Sequence, residues 1–218
     1  MIDQLKNSYS KDLSALFNET LETFSNLPWN DKNFYSEWLA QTYFMVAQTP
    51  RLICLAAARF GIEEDSLHRS MVNHFSDEDK HEYVILDDLK NLGFSIEDFS
   101  ENPETQLIHQ KLFYSIDRID PVAIFGRILF LEMLAASIDE KFLSKIEPFY
   151  RAEQYNFLRI HLEEDIEHVK KAMSSISGLS EHKQLIIGDE FYMTGYLYQE
   201  FMKGLLSKAL RKVDAVAA

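Results

Sequence analysis

The chain has 218 residues, 46% of them apolar and 26% charged, with a formal charge of −13. That balance is ordinary for a globular protein able to bury a substantial core, while the acidity argues against a nucleic-acid partner, whose phosphates it would repel. No run approaches the ~18 consecutive apolar residues of a membrane span, no basic-then-apolar secretory signal is visible, and the single cysteine, Cys54, makes an internal disulfide impossible, so a reducing cytoplasm is the expected location.

Helical periodicity dominates, and the seven Gly and five Pro fall mostly between periodic segments. Residues 3–25 read as an amphipathic helix with Leu13, Leu16, Phe17, Leu21 and Phe24 on one stripe. After the break at Asn26–Asp31, where Asn30 or Asp31 is placed to cap, residues 32–48 form an aromatic-rich helix. Pro50 starts the run Arg51–Phe60, apolar nearly all round and therefore expected at the centre, which ends at Gly61. Residues 64–92 read as one long helix stopped by Gly93. A polar linker, 94–103, leads to a short helix, 104–117. Asp120-Pro121 caps and opens a helix over 121–145, Pro148 punctuates, and two further helices follow over 150–177 and 181–211, with a frayed tail from Val213. With no strand alternation and no long linker, the expectation is a single all-α domain spanning 1–218.

Chemistry concentrates in three places. His161, Asp165 and His168 stand at i, i+4 and i+7, which puts them on one helical face. His74, Glu78 and His81 repeat that four-then-three spacing, and these two rows hold four of the seven histidines. Glu132 is set among apolar neighbours (Ile-Leu-Phe-Leu-Glu-Met-Leu), where a carboxylate is costly without a partner: a metal ion, or an arginine such as Arg127. Helical bundles hold two iron or manganese ions with sets of this kind, and a mixture of imidazole and carboxylate without thiolate disfavours structural zinc. Two divalent cations against Glu78, Glu132 and Asp165 leave one positive charge, which calls for another carboxylate: Glu37, or that of a bound substrate. His74 fits the register but equally suits a supporting or surface position, and Asp88, further along the same row, is placed to orient a ligand histidine. Glu163, Glu164, Glu167, Glu82 and Asp79 read as a solvated face, the Tyr and Phe of the last helix as core, and His68, His109 and His182 have no partner at useful spacing.

In these features the sequence resembles the haem-oxygenase-like diiron oxidases and oxygenases. The family shares its fold with TenA-type thiaminases, the pyrroloquinoline quinone synthesis oxidase and the chlamydial protein associating with death domains. The resemblance runs from about Phe24 to His168. It is carried by Trp38-Leu-Ala-Gln-Thr-Tyr43, Thr49-Pro50-Arg51-Leu52, Glu78-x-x-His81 with Asp87-Asp88-Leu89-x-x-Leu-Gly93, Glu132 in Phe-Leu-Glu-Met, and His161-x-x-x-Asp165-x-x-His168. It implies a helical bundle of about seven or eight helices and the ligand set Glu78, His81, Glu132, His161, Asp165 and His168, with His74, Glu37 and Asp88 as further candidates. Glu78 or Asp165 would bridge two iron (or manganese) ions, and O2 would be the co-substrate in oxidation of a small molecule. The charge count and family habit favour a carboxylate-bearing one, an amino acid or a fatty acid, and the family often forms homodimers. Haem oxygenase itself needs an early proximal histidine, and the first here is His68; the thiaminases need a cysteine mid-chain, and Cys54 is the only one. A ferritin-like bundle using Glu37 ranks second for fold. A non-enzymatic helical interaction or metal-binding protein with an acidic surface is the alternative for function.

Overall fold

A computed structural model describes residues 5–138 and 140–217, with the side chains of residues 140–141, 163–165 and 210–217 outside the described set. The described residues form α1 (Leu13–Ser25), α2 (Lys32–Val46), α3 (Thr49–Arg59), α4 (Asp65–Glu78), α5 (His81–Asn91), α6 (Pro103–Arg118), α7 (Ile124–Ala136), α8 (Glu140–Ile146), α9 (Asn156–Ile176) and α10 (Glu181–Ala217). The count exceeds the expected seven or eight because two expected helices are each split, 64–92 into α4 and α5 and 121–145 into α7 and α8.

Most boundaries follow from local chemistry. Asp12 accepts the N–H of Ala15 at 2.9 Å and starts α1 there, ten residues later than periodicity alone suggested. Asp31 caps α2, accepting from Asn33 at 2.8 Å and Phe34 at 3.3 Å. Proline occupies the first turn of α3 and of α6, where its missing N–H removes nothing the helix needs. Gly93 and Gly178 follow α5 and α9 with φ of +85° and +83°, the left-handed stop that glycine adopts without strain. At the other end α10 continues to Ala217, past the expected stop near 211.

The centre is not where the sequence pointed. α3 buries Leu52, Ile53, Ala56 and Ala57 but exposes Cys54 and Ala58, so it is a one-sided helix. The most deeply immersed elements are α2, buried continuously from Phe34 to Thr42, and the first half of α7, buried from Ile124 to Phe130. α7 packs against both α9 and α10. Its approach to α10 depends on Gly126: a Cβ there would lie 2.4 Å from the carbonyl oxygen of Ile187, so any larger residue would push the helices apart. Aromatic rings fill the space beneath α2, with Trp29 stacked edge-on to Trp38 at 5.1 Å and donating its Nε1–H to the Phe24 carbonyl at 2.8 Å.

Two details aim the later chemistry. α4 stops at Glu78, Asp79 is extended, and Lys80 takes φ +75° before α5 restarts at His81. Glu78 and His81 therefore belong to different helices, with a two-residue corner between them. Asp88, fully buried on α5, accepts the backbone N–H groups of Asn156 at 3.1 Å and Phe157 at 2.9 Å, which open α9. It thus caps a helix from a distant part of the chain and does not touch a histidine, the role the sequence had indicated. Burial pushes its carboxyl up to about 6 against the pull of these N–H donors.

Replacing Asp88 by Ala would leave two buried N–H groups without an acceptor, and a loss of about 2 kcal/mol is expected in denaturant unfolding at pH 7. Because the native pKa is raised, the ionised form is a cost present above about pH 6 and relieved as pH falls toward the unfolded value. Asp88→Asn should remove that component of the stability–pH curve. At the corner, Lys80→Gly relieves left-handed strain while loosening the unfolded chain, for an expected net gain of about 0.5–1 kcal/mol. Lys80→Ile should destabilise by more than 1 kcal/mol on the same scale, because β-branched residues resist φ above zero; thermal melts of both variants check this.

Candidate metal centre

Four helices converge on one buried cluster. α4 brings His74 and, one turn on, its last residue Glu78; α5 opens with His81; α7 brings Glu132; and α9 brings His161 and His168, two turns apart on the same face. The backbone of α9 places Asp165 between the two histidines, but its side chain lies outside the described residues. Among the described residues, potential ligand atoms of Glu78, His81 and His161 lie within 4.8 Å of one another, and so do those of His74, Glu78 and Glu132. Glu78 is common to both groups.

Individual distances show how the groups interlock. His81 Nδ1 lies 3.5 Å from Glu78 Oε2, and His74 Nε2 lies 3.5 Å from Glu132 Oε1. His168 Nδ1 stands 3.7 Å from Glu132 Oε1 and 3.9 Å from Glu78 Oε1. The rings pair off, His81 with His161 at 4.9 Å and His74 with His168 at 5.7 Å between centroids. Glu78, Glu132 and His168 are buried. His161 Nδ1 faces the Phe157 carbonyl at 2.8 Å; a carbonyl only accepts, so Nδ1 donates there and Nε2 is the nitrogen left for the cluster.

Electrostatics suit cation binding. For Glu78 burial acts upward, but the neighbouring imidazoles of His81, 3.5 Å away, His74 and His161 outweigh it and hold the carboxyl down at about 2. Burial, aided by His168, holds the His74 imidazole below its ordinary value despite Glu78 and Asp77, keeping it in the form that ligates. The donors are nitrogen and oxygen only, since Cys54 is exposed on α3. A set of buried carboxylates and imidazoles within a few ångströms, in two overlapping groups, fits a pair of borderline-hard divalent cations such as iron or manganese.

The remaining candidates lie elsewhere or play other parts. Glu37 is buried on α2, but its Oε1 accepts from Gln41 Nε2 at 3.0 Å and Lys208 Nζ at 2.7 Å, which occupies it away from the cluster. Arg127 does not serve Glu132; both its terminal nitrogens point to Thr49 Oγ1 at 3.3 Å. Glu167 is exposed and pairs with Lys170, as a solvated face requires, whereas Glu82 is half-buried. His68 faces the Ala57 carbonyl at 2.8 Å and His109 faces Glu101 at 2.6 Å. Asp77 was overlooked in the sequence: its Oδ2 is 3.7 Å from His168 Nε2 and holds Lys171 at 2.8 Å. Its spacing of i+3 from His74 was the available signal.

Two cavities meet at the cluster. One, of about 140 Å³, is walled by Trp38, Met45, Leu131, Leu134, Phe157 and Leu158, with His74, Glu78, Glu132 and His161 on one side. The other, of about 520 Å³, runs between α4 and α9 over polar residues including Ser70, Asn73, Asp77 and Lys171, and reaches His74 and His168. His74 lines both.

The fold has solved counterparts. A protein of unknown function with a haem oxygenase-like fold from Shewanella denitrificans superposes with a TM-score of 0.80 at 15% identity, over 91% of this chain and 90% of its own. A TenA homologue from Pseudomonas syringae pv. tomato gives a TM-score of 0.69 at 10% identity, over 95% and 96% of the two chains. One from Pyrococcus furiosus gives 0.69 at 14% identity, over 88% and 98%. The curated proteins contain no match. No helix of the described residues is long and apolar enough to cross a membrane. A family model described as iron-containing redox enzyme matches residues 36–187, a span that takes in every member of the cluster, and the chain belongs to that family.

Proposed function

We propose that the protein is a non-haem diiron enzyme that uses O2 to oxidise or oxygenate a small, carboxylate-bearing molecule. The observation that carries this reading is the sharing of Glu78 between two overlapping donor groups, buried at the wall of an apolar cavity. Membership of an iron-containing redox family supports iron over other cations.

In this reading Glu78, His81 and His161 would hold one ion, and His74, Glu132 and His168 the other, Glu78 being common to both donor groups. Asp165 joins by its register on α9, one turn after His161. Bound there, iron would supply the redox chemistry that O2 activation needs. The chain's own residues do the rest: the His161–Phe157 hydrogen bond fixes one ligand's tautomer, Asp88 anchors the helix carrying α9's ligands, and the apolar wall of Trp38, Leu131 and Phe157 keeps bulk water from the reacting face. The polar cavity past Asp77 is the side from which water and ions reach His74 and His168.

Protein purified without oxygen and titrated with ferrous iron is expected to bind close to two ions per chain and to develop a transient near-ultraviolet or visible absorption when O2 is admitted. Failure to retain iron would remove the reading. The shared carboxylate makes a sharper expectation. Glu78→Ala should lose both ions, whereas His81→Ala and Glu132→Ala should each keep about one, and metal analysis of the three variants decides it. Ferrous iron should also raise Tm, since a ligand that binds only the folded state stabilises it; Glu78→Ala should abolish that rise.

A further inference from the structure

The apolar cavity contains a cation that the metal centre does not use. Arg127, on α7, is 4% exposed and lines the cavity close to Glu78. Its two terminal nitrogens share one neutral acceptor, Thr49 Oγ1, at the long distance of 3.3 Å, and its Nε has no hydrogen-bond partner. Among the described residues no carboxylate forms an ion pair with it. Thr42, across the same cavity, buries its Oγ1 without a partner as well. A guanidinium withdrawn from water is expensive unless an anion or several acceptors meet it. The described carboxylates on the cavity wall are Glu78 and Glu132, and both are committed to the metal cluster.

We propose that the cavity binds a small monocarboxylate with an apolar body, its carboxylate on Arg127 beside Thr49 and Thr42, and its body along Trp38, Met45, Val46 and Leu134. The proposal rests on the diiron reading for one element, the charge count. With two divalent cations set against Glu78, Glu132 and Asp165, one positive charge remains; Arg127 adds a second, and Glu37, held by Lys208, supplies nothing. An anion is what the cavity lacks. The guanidinium fork suits a carboxylate, taking both of its oxygens. The body is fixed by the walls, which are aliphatic and aromatic. An amino acid is disfavoured, because its ammonium would find only the two metal-binding carboxylates to pair with. Of the two substrate classes the sequence left open, the cavity selects the one without the amine.

The test is calorimetric titration of octanoate, 1-octanol and 2-aminooctanoate into anaerobic ferrous-loaded protein and into metal-free protein. Octanoate is expected to bind at least about 10-fold more tightly than either analogue, and Arg127→Gln to weaken it about 30-fold or more while leaving octanol unchanged. Thr49→Val should weaken octanoate by a smaller factor. Val46→Trp, which fills the cavity from its apolar wall and leaves the guanidinium in place, should abolish octanoate binding with bound iron undiminished, and it serves if Arg127→Gln does not fold. Equal binding of octanoate and octanol, or octanoate binding unchanged in Arg127→Gln or Val46→Trp, would overturn the proposal. Octanoate binding through Arg127 in a protein that retains no iron would support the anion site and sink the diiron reading. Iron binding without octanoate binding would do the reverse.

Discussion

Charge buried in a helical interior has to be answered by charge, and that constraint organises this molecule. Glu78 and Glu132 are withdrawn from water within a core otherwise built from Trp, Phe, Leu and Ile. Four imidazoles close round them, and each comes from a helix that must be held at a set height and rotation. Asp88 fixes α9 at its first residues, Gly126 lets α7 and α10 come together, and the corner at Asp79–Lys80 turns the end of α4 and the start of α5 toward one another. None of these residues belongs to either donor group. Each removes a freedom that would let the clustered side chains drift apart.

The split of the expected helix over 64–92 shows what a sequence can and cannot reveal about such a site. His74, Glu78 and His81 were visible as a row because four-then-three spacing is the period of a helix. The structure keeps the row's chemistry and breaks its helix: the last member lies beyond a residue at φ +75°. Nothing in Glu-Asp-Lys-His marks that corner, since a left-handed lysine has no composition signature and the flanking residues favour helix. Helix starts fared better where a side chain does the capping, as Asp31 and Asp120 do. The error over α3 has a different origin. An alanine-rich face counts as apolar in any periodicity, yet small side chains can stand at the surface at little cost, and Cys54 and Ala58 do.

At the site, what was legible in the sequence is the part with a period: the histidines, Glu78, and Glu132 through its apolar setting. What was not legible is the part made by packing. Asp88 was noticed but assigned to the wrong partner, because the N-terminus of α9 meets α5 only in three dimensions. Arg127 was noticed as a mate for Glu132; both line the apolar cavity, but the guanidinium turns to Thr49 on α3. Asp77 is adjacent to Glu78 in sequence and was hidden by it.

The sharing of Glu78 has a thermodynamic consequence. A single carboxylate common to two donor groups could not serve the two proposed ions as independent sites. On the diiron reading, the first ion to arrive would order Glu78 and its neighbouring imidazoles, lowering the conformational cost for the second; it would also withdraw part of the negative charge that the second would have met. These effects have opposite sign, and their sum is one coupling free energy, felt equally by whichever ion binds last. Occupancy is then a property of the pair. A chain short of iron would distribute itself between empty and full, or settle half-filled, according to the sign of that sum. The fraction of molecules able to react with O2 would follow iron supply steeply in the first case and shallowly in the second.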